Sequence, residues 1–407
     1  MARSIVVGAG MVGLATTWFL QEHGVEVTVV DREGVAAGSS WGNAGWLTPG
    51  KAIPLADPSL WAYGPRALLD PDAALHIPIR VDFALWAFLA RFAAHGTSRA
   101  WDRTMAALTP IDRIALACYD ELDIGGVQSR TRPGPFVIAF ARPGEDAGFL
   151  HEIDGARRHG QEVPLTPLPN PRELCPILAD EVTTAYRLDG QRFLEPGPYL
   201  AALGDAVVAR GAALRTGAPV GYVAGGPRPA VTLATGERLE ADSVVIATGA
   251  WLPSLARKLG VRTRVQAGRG YSFTVKTDVP VEHPLYLPKQ RIACTPYRGR
   301  FRIAGTMEFR RPDEPLQPRR IQAIVNQARE LMVGVDLDDR RDEWVGARPV
   351  TPDGLPLVGA TRAPGVYVGG GHGMWGIVLG PATGKMLARQ IVTGEIDPTI
   401  APFDPLR

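Results

Sequence analysis

Three glycines near the start of the chain have the type and spacing of a phosphate-binding turn. Gly8, Gly10 and Gly13 form a G-x-G-x-x-G pattern directly after the apolar run from Ile5 to Val7. The first glycine permits a tight turn, the second lets a pyrophosphate approach the backbone, and the third lets a helix pack close to the sheet. The pyrophosphate would lie at the helix N-terminus, where unpaired N–H groups and the helix dipole favour negative charge.

The elements that must position this turn can be predicted from the residues around it. The run from Ile5 to Val7 suits a strand buried on both faces, Gly24 is placed to end the helix, and a second strand is predicted from Val25 to Val30. Asp31 ends that strand, where a carboxylate can bind the ribose hydroxyls of adenosine. Together these features predict a βαβ dinucleotide-binding unit. The alternative is a glycine-rich turn in an α/β protein that binds nothing.

The composition is that of a soluble enzyme without a nucleic acid partner. The 407 residues include 44 basic and 42 acidic side chains, which leave a net charge of +2, and 45% are hydrophobic. Cys118, Cys175 and Cys294 are scattered without metal-ligand spacing, so we expect no metal and a reducing, cytoplasmic location. The sequence shows neither the pattern of a signal peptide nor an apolar run as long as a transmembrane helix.

Two later segments are predicted to return to the nucleotide-binding sheet. Residues 231–247 predict a hairpin leading into a buried strand, and Thr248 and Gly249 follow where backbone could approach a cofactor. Taken alone, this segment would be an ordinary strand-to-helix turn. Residues 365–391 predict a strand, a glycine turn at Gly373 and an apolar helix. In flavoenzymes, a helix N-terminus at this place stabilises negative charge on the reduced isoalloxazine.

The remaining segments differ in kind and predict a second domain. Residues 79–125 contain helical-looking segments rich in aromatic side chains, and residues 256–340 contain short strands before a helix near Ile321 to Met332. We expect these two blocks to combine into a sheet with flanking helices that covers the cofactor. Residues 81–94 fit a core-packing helix better than a membrane-surface helix, because Arg91 is their only cation.

Several separated motifs resemble those of one enzyme family. They are the βαβ unit, Ser39 to Gly45 followed by Thr48-Pro49-Gly50, then Val220, Gly268 to Ser272, Ala347 to Gly354, and Gly371-His372-Gly373. In this order they are similar to the D-amino acid oxidase superfamily of FAD-dependent amine oxidoreductases. Within it, the chain most resembles the bacterial D-amino acid dehydrogenases. The resemblance covers nearly the whole length.

The resemblance implies a fold and a division of the chain. The fold class is α/β, with a Rossmann-like FAD-binding domain of the D-amino acid oxidase (GR2) type and a mixed-sheet α+β substrate domain. Residues 1–78, 186–255 and 341–407 would form the FAD-binding domain. Residues 79–185 and 256–340 would form the substrate-binding domain.

The resemblance also implies FAD as the cofactor, bound without a covalent link. Relatives of the sarcosine oxidase branch attach the flavin through a cysteine close to the last flavin segment, whereas Cys294 here lies far upstream of it. The implied FAD-binding residues are Gly8, Gly10, Met11, Val12, Gly13, Asp31, Arg32, Ser39, Ser40, Asn43, Ala44, Gly45, Val220, Thr248, Gly249, Trp251, Gly371, His372, Gly373, Met374, Trp375 and Gly376.

Arg348 is the residue on which the prediction of the substrate depends. In Gly346-Ala347-Arg348-Pro349 it matches the G-x-R-P arginine that binds the substrate carboxylate in this family. A planar guanidinium can bind a carboxylate through two parallel hydrogen bonds and so fix its orientation. The alternative is a structural arginine that pairs with Asp353 or Asp342.

Three further residues are candidates for catalysis or substrate binding. Tyr271 and Tyr286 could hydrogen-bond the carboxylate or cover the pocket, although a tyrosine in a sheet is as readily a core residue. The strand from Ile292 to Thr295 lacks the second carboxylate-binding tyrosine of the glycine oxidases. His372 could contact the flavin or support the glycine turn structurally.

The implied reaction is oxidative deamination of a D-amino acid, or of a cyclic imino acid such as a D-proline derivative, in amino acid catabolism. Arg348 would hold the carboxylate so that the Cα hydrogen points at flavin N5, and a neutral amine would release hydride. A quinone, a partner protein or oxygen would reoxidise the flavin, so dehydrogenase and oxidase both remain open. A flavin-bearing subunit without turnover of its own is the third alternative. Peripheral membrane contact also stays open.

Overall fold

The computed structural model describes residues 1–407 apart from the side chains of residues 62, 63, 65 and 66. The strands are β1 (Arg3–Val7), β2 (Glu26–Val30), β3 (Trp46–Leu47), β4 (Leu75–His76), β5 (Arg132–Pro133), β6 (Phe136–Phe140), β7 (Leu165–Pro167), β8 (Thr184–Leu188), β9 (Arg192–Phe193), β10 (Ala213–Arg215), β11 (Val220–Ala224), β12 (Ala230–Leu233), β13 (Arg238–Glu240), β14 (Ser243–Ile246), β15 (Gln266–Thr277), β16 (Leu285–Leu287), β17 (Ile292–Tyr297), β18 (Arg300–Phe309), β19 (Val335–Val350), β20 (Leu357–Ala360) and β21 (Val366–Gly370). The helices are α1 (Met11–Glu22), α2 (Leu60–Leu69), α3 (Phe83–Ala94), α4 (Ser98–Ile124), α5 (Ala147–Arg158), α6 (Pro171–Leu174), α7 (Pro196–Ala209), α8 (Leu252–Ala256), α9 (Pro318–Arg329) and α10 (Gly376–Thr393).

The predicted βαβ unit lies at the centre of a six-stranded sheet. The strand order is β10-β2-β1-β14-β21-β20, and neighbouring strands are parallel except for β20 with β21. Val6 of β1 belongs to the core that includes α1 and α10, whereas Ile5 and Val7 belong to the core on the other face, with β12 and α8. Burial on both faces is why an uninterrupted apolar run forms this strand. The structure confirms the prediction of a Rossmann-like domain.

A nine-stranded mixed sheet forms the second layer. The strand order is β19-β15-β18-β17-β16-β6-β8-β7, and β4 pairs alongside β18. Side chains alternate between the faces of its long strand β15. Ser272 faces the first domain, where its hydroxyl donates to the carbonyl of Gly42 at 2.8 Å, while Tyr271 and Phe273 pack towards α9. The predicted combination of a Rossmann-like domain with a mixed-sheet domain is therefore confirmed.

The domain boundaries predicted from the sequence do not coincide with the ends of these elements. The boundaries at residues 186 and 341 fall inside β8 and β19, two strands of the nine-stranded sheet. The sequence predicts α4 in the substrate domain, but α4 packs against α10, and the Tyr119 hydroxyl donates to the carbonyl of Ile377 at 2.6 Å. The apolar face of α4 therefore packs against the nucleotide-binding domain.

Residues 81–94 are predicted to pack into the core, and one side of α3 does so through Leu85, Phe88 and Phe92, while its other side, with Trp86, is exposed. Phe88 is buried and contacts the Phe309 ring at a centroid distance of 5.4 Å. Before and at the start of the helix, Val81 and Phe83 are 91% and 84% exposed. Within the described residues, no helix combines the length and the apolar character needed to cross a membrane.

Candidate active site

A cavity of about 330 Å³ opens at the carboxyl ends of β1, β2, β14 and β21. Open α/β sheets bind their ligands at this edge, because the strand ends and the turns that follow them converge there. Arg348 and Pro349 of the nine-stranded sheet also line the cavity. The cavity therefore joins the ends of the parallel strands to the second domain.

The glycine turn after β1 forms part of the cavity wall. A Cβ at Gly8, whose φ is +115°, would lie 2.4 Å from the carbonyl oxygen of Ala247. A Cβ at Gly13 would lie 1.9 Å from the carbonyl oxygen of Gly8, so this glycine allows α1 to approach β1 closely. The atom nearest to a Cβ at Gly10 would be the hydroxyl of Ser40, at 3.3 Å. The absence of a side chain at Gly10 therefore leaves room for a ligand in the cavity, whereas at Gly8 and Gly13 it leaves room for neighbouring backbone.

Asp31 and Ser40 present polar atoms beside this turn. The Asp31 carboxylate accepts hydrogen bonds from the N–H of Ala9 at 2.8 Å and from two further backbone N–H groups. A carboxylate has about four acceptor sites, so capacity for a hydroxyl remains. The Ser40 hydroxyl accepts from the N–H of Met11, the first residue of α1, at 3.3 Å. The N-terminus of α1 thus faces the cavity with donors that suit a phosphate.

Side chains from both domains meet at Trp251. Trp251 and Arg32 line the cavity, and the guanidinium of Arg32 lies 3.9 Å from the centre of the Trp251 ring. Asp313, in the loop after β18, accepts from the indole N–H of Trp251 at 2.9 Å and from Nη1 of Arg32 at 3.1 Å. We call Asp313, Trp251 and Arg32 the tryptophan latch, because they connect the second domain to the cavity wall of the first.

The nine-stranded sheet also holds the loop at residues 41–44. The four consecutive carbonyl oxygens of this loop accept hydrogen bonds from Arg302, Ser272 and Thr295 at distances of 2.6 to 3.3 Å. Arg302 makes two of these bonds and is fully buried, and this burial lowers its pKa. Because Asn43 lines the cavity, the bonds fix part of the cavity wall.

The sequence reasoning missed the side chains that fix this loop. Arg302, Thr295 and Trp344 lie on separate strands, and no local pattern connects them. The ring of Trp344 lies against two glycines, since a Cβ at Gly42 or Gly346 would be 2.1 Å or 1.9 Å from it. In the sequence, only the glycines at positions 42 and 346, which lie in the recognised motifs, indicate that a bulky side chain packs against this loop.

Most residues predicted to bind FAD line the cavity. They are Gly8, Gly10, Met11, Val12, Asp31, Arg32, Ser39, Ser40, Asn43, Val220, Thr248, Gly249, Trp251, His372, Gly373, Met374 and Gly376. The predicted residues that do not line it are Gly13, Ala44, Gly45, Gly371 and Trp375. Trp375, for example, donates its indole N–H to the carbonyl of Ile53 at 2.9 Å. Lining residues absent from the prediction include Gly38, Pro219 and Ser254, which are close in sequence to predicted ones.

Arg348 lines the cavity from β19, in register with Gly268 of β15. Its Nη1 donates to the carbonyl oxygen of Thr306 at 3.1 Å, and no carboxylate among the described residues forms an ion pair with it. Burial lowers the pKa of Arg348 to about 10, so the guanidinium is still charged at neutral pH. The side chain of Arg348 is half-buried in the cavity wall. A charge that is largely withdrawn from water without a counter-charge is costly, and a bound anion would offset that cost.

The two acidic residues that could have made Arg348 structural are engaged elsewhere. The Asp353 carboxylate accepts from Nε and Nη2 of Arg407 at 2.9 and 3.1 Å. Asp342 accepts from the hydroxyl of Thr274 at 3.0 Å. The alternative in which Arg348 pairs with Asp353 or Asp342 is therefore wrong.

Neither Tyr271 nor Tyr286 lines the cavity. Tyr271 is on the face of β15 that packs towards α9, and its hydroxyl donates to the Glu308 carboxylate at 2.8 Å. Burial and this hydrogen bond raise the pKa of Tyr271. The ring of Tyr286 packs edge-on against Trp46 at a centroid distance of 5.3 Å. Because alternate residues of a strand face opposite sides of the sheet, the side chain of Tyr271 faces α9 and not the cavity, which argues against substrate contact by Tyr271.

His372 lines the cavity, but its ring is held by α10. Nε2 lies 2.9 Å from the hydroxyl of Thr383, and the backbone of His372 forms a bridge with Val350. Burial lowers the pKa of His372 to about 4, so the imidazole is neutral at pH 7. These contacts favour the structural role in the glycine turn over catalysis.

Comparisons with known proteins identify one family. The family model of DAO, FAD dependent oxidoreductase, matches residues 3–390. Among curated proteins, the chain is 31% identical to a D-amino acid dehydrogenase of Paramagnetospirillum magneticum, over 97% of this chain and 95% of that protein. It is also 31% identical to a D-amino acid dehydrogenase of a Methylobacterium species, over 99% of this chain and 97% of that protein.

Solved structures show that the fold is shared more widely. Glycine oxidase from Geobacillus kaustophilus is similar with a TM-score of 0.74 at 22% identity, over 100% of this chain and 99% of that one. L-Proline dehydrogenase from P. horikoshii is similar with a TM-score of 0.70 at 17% identity, over 100% of this chain and 97% of that one. At such identities the likeness concerns the fold alone.

The residues of the cavity fit FAD. Beside the turn at Gly10 and the carboxylate of Asp31, the hydroxyl of Thr248 is buried without a hydrogen-bond partner. Next to it, Gly249 has a φ of +55°, and a Cβ there would have no atom within 4 Å, so its backbone is open to a ligand. Within the described part of the chain, no group of His, Cys, Asp or Glu side chains could hold a metal ion.

Proposed function

The chain belongs to the DAO family of FAD-dependent oxidoreductases, and we propose that it oxidises D-amino acids, or cyclic imino acids such as D-proline derivatives, with FAD bound non-covalently. The observation that carries this proposal is the guanidinium of Arg348, which lines the cavity without a carboxylate partner among the described residues. The name D-amino acid dehydrogenase of the curated relatives supports it.

Arg348 would bind the substrate carboxylate. A guanidinium carries five N–H donors, and Thr306 uses one of them, so a pair of parallel donors remains. The bidentate contact would supply the missing counter-charge and fix the orientation of the amino acid. With the carboxylate fixed, the Cα hydrogen can be held at one position relative to the cofactor, which hydride transfer requires.

The described residues that line the cavity offer no general base for the amine beside Arg348. The acidic lining residues Asp31 and Glu33 follow β2, whereas Arg348 is on β19. The ring of His372 is bound to Thr383. We infer that the substrate amine loses its proton to water and reacts in the neutral form, so kcat/KM should rise with pH up to the pKa of the amine.

The first domain would hold the cofactor. The turn at Gly8 and Gly10 would bind the pyrophosphate of FAD and Asp31 the ribose, while α10 directs its N-terminus at Gly376 towards the cavity. When bound, FAD supplies the acceptor for the hydride. We propose that a quinone or a partner protein then takes the electrons, because the curated relatives bear the name dehydrogenase.

The experiment that tests this function is a screen of purified protein with an artificial electron-accepting dye. The panel contains D-amino acids, D-proline derivatives, glycine, sarcosine and the matching L-amino acids, with hydrogen peroxide measured in parallel without dye. We expect dye reduction with one or more D-amino acids and little peroxide. Rapid peroxide formation would instead identify an oxidase. Absence of turnover by the FAD-loaded chain would favour a subunit of a larger complex.

Arg348→Ala provides the test of the substrate site. A hydrogen bond to a charged group contributes about 1.5–3 kcal/mol, and an unpaired carboxylate costs more, so kcat/KM should fall at least about a hundredfold. FAD content and the flavin spectrum should not change. The control substrate is the amine that lacks the carboxyl group of the best amino acid. If the variant discriminates acid from amine as strongly as the unaltered protein does, the carboxylate site lies elsewhere.

A further inference from the structure

Gly270 lies directly against the guanidinium of Arg348. A Cβ at Gly270 would be 2.1 Å from Nη2, 2.2 Å from Cζ and 2.5 Å from Nη1 of Arg348. Gly270 does not have a positive φ, so its backbone conformation is open to other residues. The space taken by the guanidinium therefore explains the glycine at this position.

The carbonyl of Thr306 makes the second contact with the same group. Between Gly305 and Glu308, β18 contains one more residue than the paired stretch of β15, which marks a β-bulge. Thr306 lies in this bulge with a φ of +56°, an uncommon value for a β-branched residue. Its carbonyl oxygen accepts the hydrogen bond from Nη1 of Arg348 at 3.1 Å. The bulge therefore turns a backbone acceptor towards the arginine.

We propose that Gly270 is a positioning residue that, together with the carbonyl of Thr306, directs the guanidinium of Arg348 at the substrate carboxylate. The inference rests on the proposed function. An arginine side chain has many rotamers, and a bidentate contact requires one orientation of its planar group. Contact with the backbone at Gly270 sets the plane of the guanidinium, and the bond to Thr306 sets its rotation within that plane. Selectivity for a carboxylate then depends on a residue that carries no functional group.

Gly270→Ala tests this role directly. Because the added methyl group would overlap the guanidinium, Arg348 must move. We expect kcat/KM for the most active D-amino acid of the panel to fall about ten- to a hundredfold, mainly through a higher KM. kcat/KM for the amine without the carboxyl group should change less than about threefold. FAD content should not change, because Gly270 does not line the cavity.

Gly268→Ala is the matched control. It lies on the same strand and the same face, and its Cβ would be 2.9 Å from the side chain of Val350 and 3.1 Å from the sulfur of Met307. The control therefore adds a methyl group in a crowded part of β15, where the three nearest atoms belong to Val350 and Met307 and not to Arg348. We expect it to keep the discrimination between acid and amine. An equal loss of discrimination in both variants would overturn the proposal.

A double-mutant cycle links the effect to the guanidinium. In the Arg348→Ala background, Gly270→Ala has no guanidinium to displace, so it should change kcat/KM for the D-amino acid less than about threefold. The same loss in both backgrounds would show that the methyl group acts through another part of the site, and the inference would fail. The proposed function fails by a different result, namely an unchanged discrimination of acid from amine in Arg348→Ala alone.

Discussion

The two walls of the cavity are built in different ways. The wall on the six-stranded sheet uses backbone: Gly10 and Gly249 leave space where a ligand can approach N–H and carbonyl groups, and Gly8 permits the tight turn that brings this backbone close to Ala247. The wall on the nine-stranded sheet uses the side chain of Arg348, which donates to the carbonyl of Thr306, while Arg302 on another strand lies outside the cavity and holds the loop at residues 41–44. A substitution on the first wall should therefore act by filling space, and one on the second by removing or moving a charged group.

The largest expected effect is the loss of FAD from Gly10→Val. The residue before α1 has extended φ and ψ of −84° and −176°, which valine can adopt, and a Cβ there meets only the Ser40 hydroxyl. We expect a folded protein without FAD, measured by flavin absorbance and thermal unfolding after purification. The contrasting variant is Gly13→Ala, which should destabilise the whole protein because its Cβ would be 1.9 Å from the carbonyl of Gly8. Full FAD occupancy in Gly10→Val would contradict the backbone-built wall.

A smaller effect is expected when the positive charge on the second wall is kept but the planar guanidinium that carries it is replaced. Arg348→Lys should have a kcat/KM about tenfold or more below that of the unaltered protein, yet above that of Arg348→Ala, because a point charge replaces the planar fork. Anaerobic flavin reduction by the best amino acid measures this, with FAD content as the control. Equal rates for lysine and arginine would show that the bidentate geometry is not used.

The tryptophan latch, which joins the two walls, should give a still smaller effect. Asp313→Ala removes the acceptor shared by Trp251 and Arg32, and we expect FAD to dissociate about two- to fivefold faster, since exposed ion pairs are weak. Flavin fluorescence after dilution measures this release, and added salt should reduce the difference between the proteins. Asp205→Ala, at an exposed position on α7, is the control. Identical release from the Asp313 and Asp205 variants would show that the latch does not retain FAD.

The smallest kinetic effect is expected from Tyr271→Phe, which tests whether the two faces of β15 are independent. The change removes the hydrogen bond to Glu308, so the free energy of unfolding should fall by about 1–3 kcal/mol. kcat/KM should stay within about twofold of the unaltered value. Chemical denaturation and steady-state assays measure the two quantities. Tyr286→Phe belongs in the same assay, because substrate contact by Tyr286 is still a prediction. A tenfold loss of activity in Tyr271→Phe with FAD retained would place its hydroxyl in the substrate site.

The sequence by itself determined the nucleotide-binding unit. The apolar run of β1, the glycines after it and Asp31 at the end of β2 lie within one short stretch, and their roles follow from local backbone geometry and the period of each element. The last strand, glycine turn and helix could be predicted for the same reason. The residues beside Arg348 in the sequence identified this arginine, but the residues that contact it in the fold, Thr306 and Gly270, could not be predicted.

Only the tertiary structure decided the other wall. Tyr271 and Gly270 are neighbours in one motif, yet one faces α9 and the other lies against Arg348, because side chains alternate along β15 and the pairing with β18 and β19 fixes the register. The same pairing brings Thr306 to Arg348 and directs Arg302 at the loop of residues 41–44. Such contacts depend on strands far apart in the chain, so no local pattern of residues contains them.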